Sequence, residues 1–408
     1  MRILFTGGGT GGHLYPILSL ARTLLHEDAS GDCISPIGQA ATVDPHRGVV
    51  TPPGRSRTHA VLFVGARGNM DQQLLERDAI PYVTIDSKPL GRKTLFESAG
   101  SIAANTAATV RAVPIVKNFK PDVIVGGGGY ACAAAVLAGA LLRRMNILPQ
   151  LKIVLLEPNL QPGYANRRLA RLADEVWGAY PESSTSRHFK EKFRLTGVPV
   201  RRELYTAMSK ADARRSLGLD PDRFTILTFG GSQGARSLNV AVSGMAARRR
   251  LPENWQILHV TGVRDFEWMS AERKTDSNAN HYKMLPYLDS MPLAYWAADL
   301  VVCRSGASTL AELCTVGLPC ILVPYPHAAE DHQRANADYL VDHGAALTIQ
   351  DALLTPDSLY WLLMDTAEPD KLAAMHKALL RLAHPLAVNA MVERLLSGRI
   401  GAAENNAA

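Results

Sequence analysis

Short apolar runs alternate with stretches of helical spacing along most of the chain. Residues 2–6 predict a strand and 15–26 a helix; 60–65 a strand and 70–78 a helix; 122–126 a strand and 131–143 a helix; 153–156 a further strand. The rhythm then restarts. Residues 224–229, 256–260, 300–303 and 320–323 predict strands, and 237–248, 310–316 and 333–343 predict helices. Strands that are apolar throughout, alternating with helices, predict an α/β fold of doubly wound parallel sheets buried on both faces. Because the pattern runs through twice, the simplest partition is two similar domains, 1–180 and 201–384, joined by a linker at 181–200. Apolar residues recur at helical spacing over 386–396, so a helix within 385–398 is expected to pack back on another element; 399–408 reads as a flexible tail. Residues 29–59 break the rhythm with clustered glycines and prolines and are expected to form a surface insertion or mobile loop.

Composition narrows the class. The chain has 408 residues, of which 47% are hydrophobic and 20% charged, which suits two or three globular domains and excludes a wholly disordered chain. No apolar run approaches the roughly eighteen residues that a transmembrane helix needs. The N-terminus passes from Arg2 straight into Ile3-Leu4-Phe5 and glycines, which reads as a strand and turn rather than a secretion signal. Cys33, Cys132, Cys303, Cys314 and Cys320 form no C-x-x-C pair, so a reducing, cytosolic compartment is expected. The net charge of +6 favours anionic partners without choosing among them. Lys88, Arg92, Lys93, Arg111, Lys117 and Lys120 cluster against one acid, Glu97, as either a solvated helical face or a membrane-surface patch.

Three strand-to-helix junctions are glycine-rich: residues 7–13 (GGGTGGH), 126–131 (GGGGYA) and 230–235 (GGSQGA). Such turns aim backbone N–H groups and a helix N-terminus at one point, which suits a phosphate or pyrophosphate. Any single turn would also serve tight helix–sheet packing; three in equivalent places favour ligand binding. Gly7, Gly9 and Gly12 match G-x-G-x-x-G, yet the next strand ends in Gly65-Ala66-Arg67 without the acid a dinucleotide site needs. No P-loop motif occurs. His13 follows the first turn, where the helix dipole favours a neutral imidazole able to accept a proton; a structural histidine is the alternative. In Cys303-Arg304-Ser305-Gly306-Ala307-Ser308-Thr309-Leu310-Ala311-Glu312, a second helix start is expected, with Glu312 about one turn inside, able to hold ribose hydroxyls or to cap. Gln333 and Asn336 share a helical face and suit sugar hydroxyls or capping. The only D-x-D, Asp220-Pro221-Asp222, reads as a solvated turn, and no H-E-x-x-H is present, so no metal and no cofactor are expected.

In this order, GGGTGGH, GGSQGAR and RSGAST-x-x-E resemble the MurG family within glycosyltransferase family 28, over nearly the whole chain outside 29–59 and the tail. Members are UDP-N-acetylglucosamine–N-acetylmuramyl-(pentapeptide) pyrophosphoryl-undecaprenol N-acetylglucosamine transferases of bacterial peptidoglycan synthesis. The resemblance implies a GT-B architecture: two Rossmann-like domains facing a cleft, the last helix returning to the first domain. It implies UDP-GlcNAc as donor on the C-terminal half and undecaprenyl-pyrophosphoryl-MurNAc-pentapeptide as acceptor on the N-terminal half. It further implies an anionic inner-membrane surface as partner, no nucleic acid, and a peripheral place on the cytoplasmic face.

Carried over by motif, Thr10, Gly11 and Gly12 border the sugar and acceptor, and Asn159 lies where the family has E-Q-N. Arg201 would approach the UDP phosphates and Ser232 would bind phosphate. Leu288 would meet uracil through its backbone. Ala307, Ser308, Thr309, Leu310, Ala311 and Glu312 would cradle the nucleotide, with Glu312 on the ribose. Gln333 would touch GlcNAc hydroxyls. His13 is the first candidate for the catalytic base and Glu157 the second. Pro158 stands where the family has glutamine, Val198 where it has asparagine, and Ala131-Cys132-Ala133-Ala134 where it has a V-S-x-P type. A transferase with another acceptor, a UDP-GlcNAc epimerase, and a non-enzymatic UDP-sugar sensor or scaffold remain alternatives at this point.

Overall fold

The computed structural model describes residues 1–7, 11–26, 42–44, 49–51, 59–66, 71–87, 95–206, 208–231, 234–248, 251–273 and 281–401, some of them (11–13 and 95–103 among these) as backbone only. The chain divides into two compact units: an N-terminal unit of Met1–Val200 with Leu386–Ala408, and a C-terminal unit of Arg201–Pro385.

The N-terminal unit runs β1 (Arg2–Thr6), α1 (Gly11–His26), β2 (Thr42–Asp44), β3 (Val49–Thr51), β4 (Ala60–Ala66), α2 (Asp71–Arg77), β5 (Tyr82–Ile85), α3 (Leu95–Phe119), β6 (Val123–Gly126), α4 (Tyr130–Arg144), β7 (Lys152–Glu157), α5 (Tyr164–Leu169), β8 (Glu175–Gly178) and β9 (Phe193–Leu195). The C-terminal unit runs α6 (Lys210–Ser216), β10 (Phe224–Phe229), α7 (Arg236–Arg248), β11 (Trp255–Val260), α8 (Val263–Arg273), β12 (Tyr282–Leu285), α9 (Met291–Ala297), β13 (Leu300–Cys303), α10 (Ala307–Val316), β14 (Cys320–Leu322), α11 (His332–Asp342), β15 (Leu347–Thr348), α12 (Pro356–Thr366) and α13 (Pro369–Leu382). The chain then returns to the first unit as α14 (Ala387–Leu396).

The first sheet is parallel, in the order β5-β4-β1-β6-β7-β8-β9. Its strands alternate sides residue by residue. Leu4, Ile124 and Ile153 face α3 and α4, packing with Ala108, Ala112, Ala135 and Val136. Ile3, Phe5, Phe63, Val125 and Val154 face α1 and α14, packing with Leu14, Ile17, Val388 and Met391. The second sheet is also parallel, in the order β12-β11-β10-β13-β14-β15. Its core joins Ile226, Ile257 and Val302 to α7 and α12 through Leu238, Val242, Leu359 and Leu363. In each sheet the chain reverses its direction of winding once, between β1 and β6 and between β10 and β13. Crevices outside such reversals are where doubly wound sheets bind ligands.

The alternation rule finds the central strands and misses β5, β8, β9, β12 and β15. These are short and carry polar residues: β8 is Glu-Val-Trp-Gly. Two helices begin a turn earlier than their apolar spacing predicts, α1 at Gly11 and α10 at Ala307. Of 29–59, residues 42–44, 49–51 and His59 are described; the first two stretches pair as an antiparallel hairpin, β2–β3. The rest of that expected insertion, and the tail beyond 401, lie outside the described residues.

Candidate functional site

In the N-terminal unit the glycine turns follow β1 and β6, one on each side of the reversal, and the Gly127 N–H donates to the Thr6 carbonyl at 2.8 Å. Gly128 and Gly129 have φ of 91° and 84°, a left-handed backbone that favours glycine. Gly129 N-caps α4 with no side-chain cap, so the helix start presents backbone donors to the crevice. Gly11, Gly12 and His13 are the first three residues of α1. Thr10 and the His13 side chain lie outside the described residues.

Glu157 ends β7 and is 2% exposed. Its Oε1 accepts the Asn159 N–H and the Asn159 Nδ2, both at 3.1 Å; its Oε2 accepts the Gly163 N–H at 2.8 Å and the Asn166 Nδ2 at 3.0 Å. Burial pushes this carboxyl above its ordinary value, and the four N–H donors pull it back. Glu157, the second candidate for the proton acceptor, thus takes four donors on its two oxygens. Both oxygens are committed to shaping the 158–163 turn, and the side chain of Asn159 is turned onto that carboxylate.

In the C-terminal unit the third glycine turn follows β10, with Gly230, Gly231 and Gly234 described and Ser232 outside the described residues. Across the reversal, β13 leads through Arg304, Ser305 and Gly306 into α10, whose N-cap, Gly306, again supplies no side-chain cap. Arg304 fixes this junction. Its Nη1 donates to the Val323 and Pro324 carbonyls at 3.1 and 3.2 Å and pairs with Asp351 at 2.6 Å, while its Nη2 donates to Ser237 Oγ at 2.9 Å. Ser305 Oγ donates to the Gln333 carbonyl at 2.7 Å, and Gln333 Oε1 accepts the Tyr325 N–H at 3.0 Å. Gln333 is thus clamped to both flanking loops. Asn336, which with Gln333 suits sugar hydroxyls or capping, is wholly buried.

Within α10, Leu310 and Glu312 are buried and Ser308, Thr309 and Ala311 half-buried. Glu312 Oε1 pairs with Arg201 Nε at 2.9 Å, and its Oε2 accepts the Tyr295 hydroxyl at 2.9 Å. Burial raises the Glu312 carboxyl above its ordinary value, against the pull of Arg201 and Tyr295; burial and then the Glu312 charge hold the Tyr295 hydroxyl well above its own. The pattern of the chain suggests Glu312 and Arg201 separately; the fold joins them and adds Tyr295, which no motif marks. Leu288 lies half-buried in the loop between β12 and α9.

A second surface stands out on the N-terminal unit. The outer stripe of α4 and its following turn expose Leu137, Leu141, Met145 and Ile147, and the adjoining α3 exposes Val110. Basic groups flank it: Arg144 on α4, Lys117 on α3 and, on α5 packed beside α4, Arg167 and Arg168. Slight burial and the guanidinium groups of Arg187, Arg167, Arg171 and Arg168 hold the His188 pKa below its ordinary value, which places four cations in one field.

Comparison with known proteins follows the same division. Residues 225–391 match the glycosyltransferase family 28 C-terminal domain, and residues 55–177 the family 28 N-terminal domain. A relative from Desulforamulus reducens, a UDP-N-acetylglucosamine–N-acetylmuramyl-(pentapeptide) pyrophosphoryl-undecaprenol N-acetylglucosamine transferase, is 35% identical over 398 residues, 96% of this chain and 97% of its own. One of the same description from Halothermothrix orenii is 32% identical over 401 residues, again 96% and 97%. The crystal structure of Acinetobacter baumannii MurG superposes with a TM-score of 0.69 at 26% identity, covering 97% of this chain and 99% of that one.

Proposed function

Since this chain belongs to glycosyltransferase family 28, we propose that each unit contributes one substrate site: UDP-GlcNAc on the C-terminal unit and lipid-linked acceptor on the N-terminal unit. Its two parallel-sheet α/β domains make the GT-B architecture. The chain is an N-acetylglucosaminyltransferase that moves GlcNAc from UDP-GlcNAc to MurNAc-pentapeptide-pyrophosphoryl-undecaprenol in peptidoglycan synthesis. The observation that carries the site reading is the β10/β13 reversal. A glycine turn, the uncapped start of α10, Arg201, Glu312 and the clamped Gln333 all belong to that end of one unit.

Loss of UDP builds negative charge on the pyrophosphate. The backbone donors of the 230–234 turn and of α10, together with Arg201, meet that charge. Ser232 adds a hydroxyl there, Leu288 borders the uracil, and residues 307–312 hold the nucleotide, with Glu312 on the ribose. The acceptor 4-hydroxyl attacks the anomeric carbon from the face opposite UDP, so the linkage inverts, and its proton passes to His13. Thr10, Gly11 and Gly12 border the reacting sugars.

The α4 stripe with its basic surround rests the enzyme on the cytoplasmic face of the inner membrane, apolar side chains in the interface and cations on anionic head groups. Among the described residues no helix is long and apolar enough to cross a membrane. Leu141→Asp with Met145→Asp should cut flotation with anionic vesicles by about tenfold or more; unchanged flotation refutes the surface.

The activity test is incubation with UDP-GlcNAc and a short-chain lipid I analogue, read by mass spectrometry with a no-acceptor control. Acceptor-dependent gain of one GlcNAc is expected. Turnover of UDP-GlcNAc without acceptor would instead indicate an epimerase, and binding without product a sensor.

A further inference from the structure

A buried polar chain lies behind the 230–234 turn, and no motif marks it. His259, Asn239 and Thr261 are wholly buried and Asp265 is 1% exposed. Asn239, on α7, donates from Nδ2 to the Thr261 carbonyl and to Asp265 Oδ2, both at 2.9 Å. Two acceptors on that side fix the amide orientation, because a flipped amide would set its oxygen against both. Asn239 Oδ1 therefore faces His259 Nε2, at 3.0 Å, and that nitrogen must carry the proton. Nδ1 is then the acceptor, and the Tyr282 hydroxyl on β12 donates to it. The chain of donors runs one way, from Tyr282 through His259 and Asn239 to the Thr261 carbonyl.

The Thr261 carbonyl is the surface on which the glycine turn rests. A Cβ on Gly234 would stand 2.3 Å from that oxygen, and Gly234 has φ of 74°, so the turn is held by contact and admits no side chain there. Gly234 in turn closes the turn through its N–H to the Gly231 carbonyl at 2.9 Å.

We infer that His259 is a positioning residue for the donor: through Asn239 it fixes the Thr261 carbonyl against Gly234 and so sets the turn that receives the nucleotide's phosphates. The inference rests on the donor-site reading above. His259 itself touches no substrate. Its removal should loosen the phosphate turn and leave the nucleoside site alone, a split that general destabilisation would not produce.

The test is calorimetric titration of the full chain with UDP and with uridine. The parent should bind both, UDP the more tightly. His259→Leu should weaken UDP by about tenfold, the size expected when a buried hydrogen-bond partner is removed, and change uridine by less than about twofold. His259→Gln, which can still present an N–H to Asn239 Oδ1, should restore UDP binding to within about threefold of the parent. Should His259→Leu fail to fold, Tyr282→Phe serves: it removes only the hydroxyl that orients the ring, and a UDP-selective loss of about threefold is expected. Equal weakening of UDP and uridine, or of neither, in a folded variant overturns the inference. A parent that binds neither ligand overturns the donor-site reading, and this inference with it.

Discussion

Arg394→Met tests how the last helix is held to the first unit. Glu175 is wholly buried and accepts Arg394 Nε and Nη2, each at 2.7 Å, Trp177 Nε1 at 2.8 Å and the Gly401 N–H at 2.7 Å. Removing the guanidinium leaves a buried carboxylate with two donors, at a cost of about 3–5 kcal/mol. Against this, α14 buries Val388, Met391, Val392 and Leu395 on the α1 face, worth roughly 6–12 kcal/mol at most. The apolar face wins, so α14 stays docked but opens more often. At ~1.4 kcal/mol per tenfold, its opening constant should rise by about 10² to a few times 10³. Hydrogen exchange over 387–396 measures this directly, with exchange in β10 and β11 of the other unit as internal control. Burial alone would raise the Glu175 carboxyl, but Arg394, Trp177 and Gly401 outweigh it and hold the value below the ordinary one. A depressed carboxylate stabilises above its unfolded value, about 4.3, and that contribution is lost as pH falls through the folded value. The gap between parent and variant should therefore close in acid. Glu175→Gln with Arg394→Met should recover about half of the loss or more, since no charge is then stranded. Unchanged exchange at 387–396, or a double variant worse than the single one, would refute the reasoning.

Three further outcomes follow from the geometry. His13→Ala should lower kcat by about 10²–10⁴ with UDP affinity unchanged, and unaltered turnover would remove His13 as the base. Tyr295→Phe takes one of the donors from Glu312 and should raise the KM for UDP-GlcNAc by about tenfold more than it changes kcat, read from initial rates. Burial pushes the thiols of Cys132 and Cys314 up to about 12, so neither should be alkylated by iodoacetamide in the native protein at pH 8, as peptide mass spectrometry would report.

Local pattern along the chain is enough to specify the parallel α/β class, the central strands of both sheets and the glycine turns. Apolar runs such as Ile3-Leu4-Phe5, alternating with helices, suit strands covered on both faces as in a parallel sheet, and Gly128 and Gly129 take a positive φ that favours glycine. Short strands away from the sheet centre, such as β8, stayed hidden, since four residues with one glutamate carry no period. Which polar groups face ligand and which face protein is settled by packing in three dimensions. That the Asn159 amide and backbone N–H both donate to Glu157 is seen only in the fold. Arg201 and Glu312, more than a hundred positions apart, meet only because α10 and the start of the second unit are packed together. Tyr295, His259 and Asn239 bear no motif at all. A buried hydrogen-bond partner is specified by distance and direction across the fold, and neither is encoded in spacing along the chain.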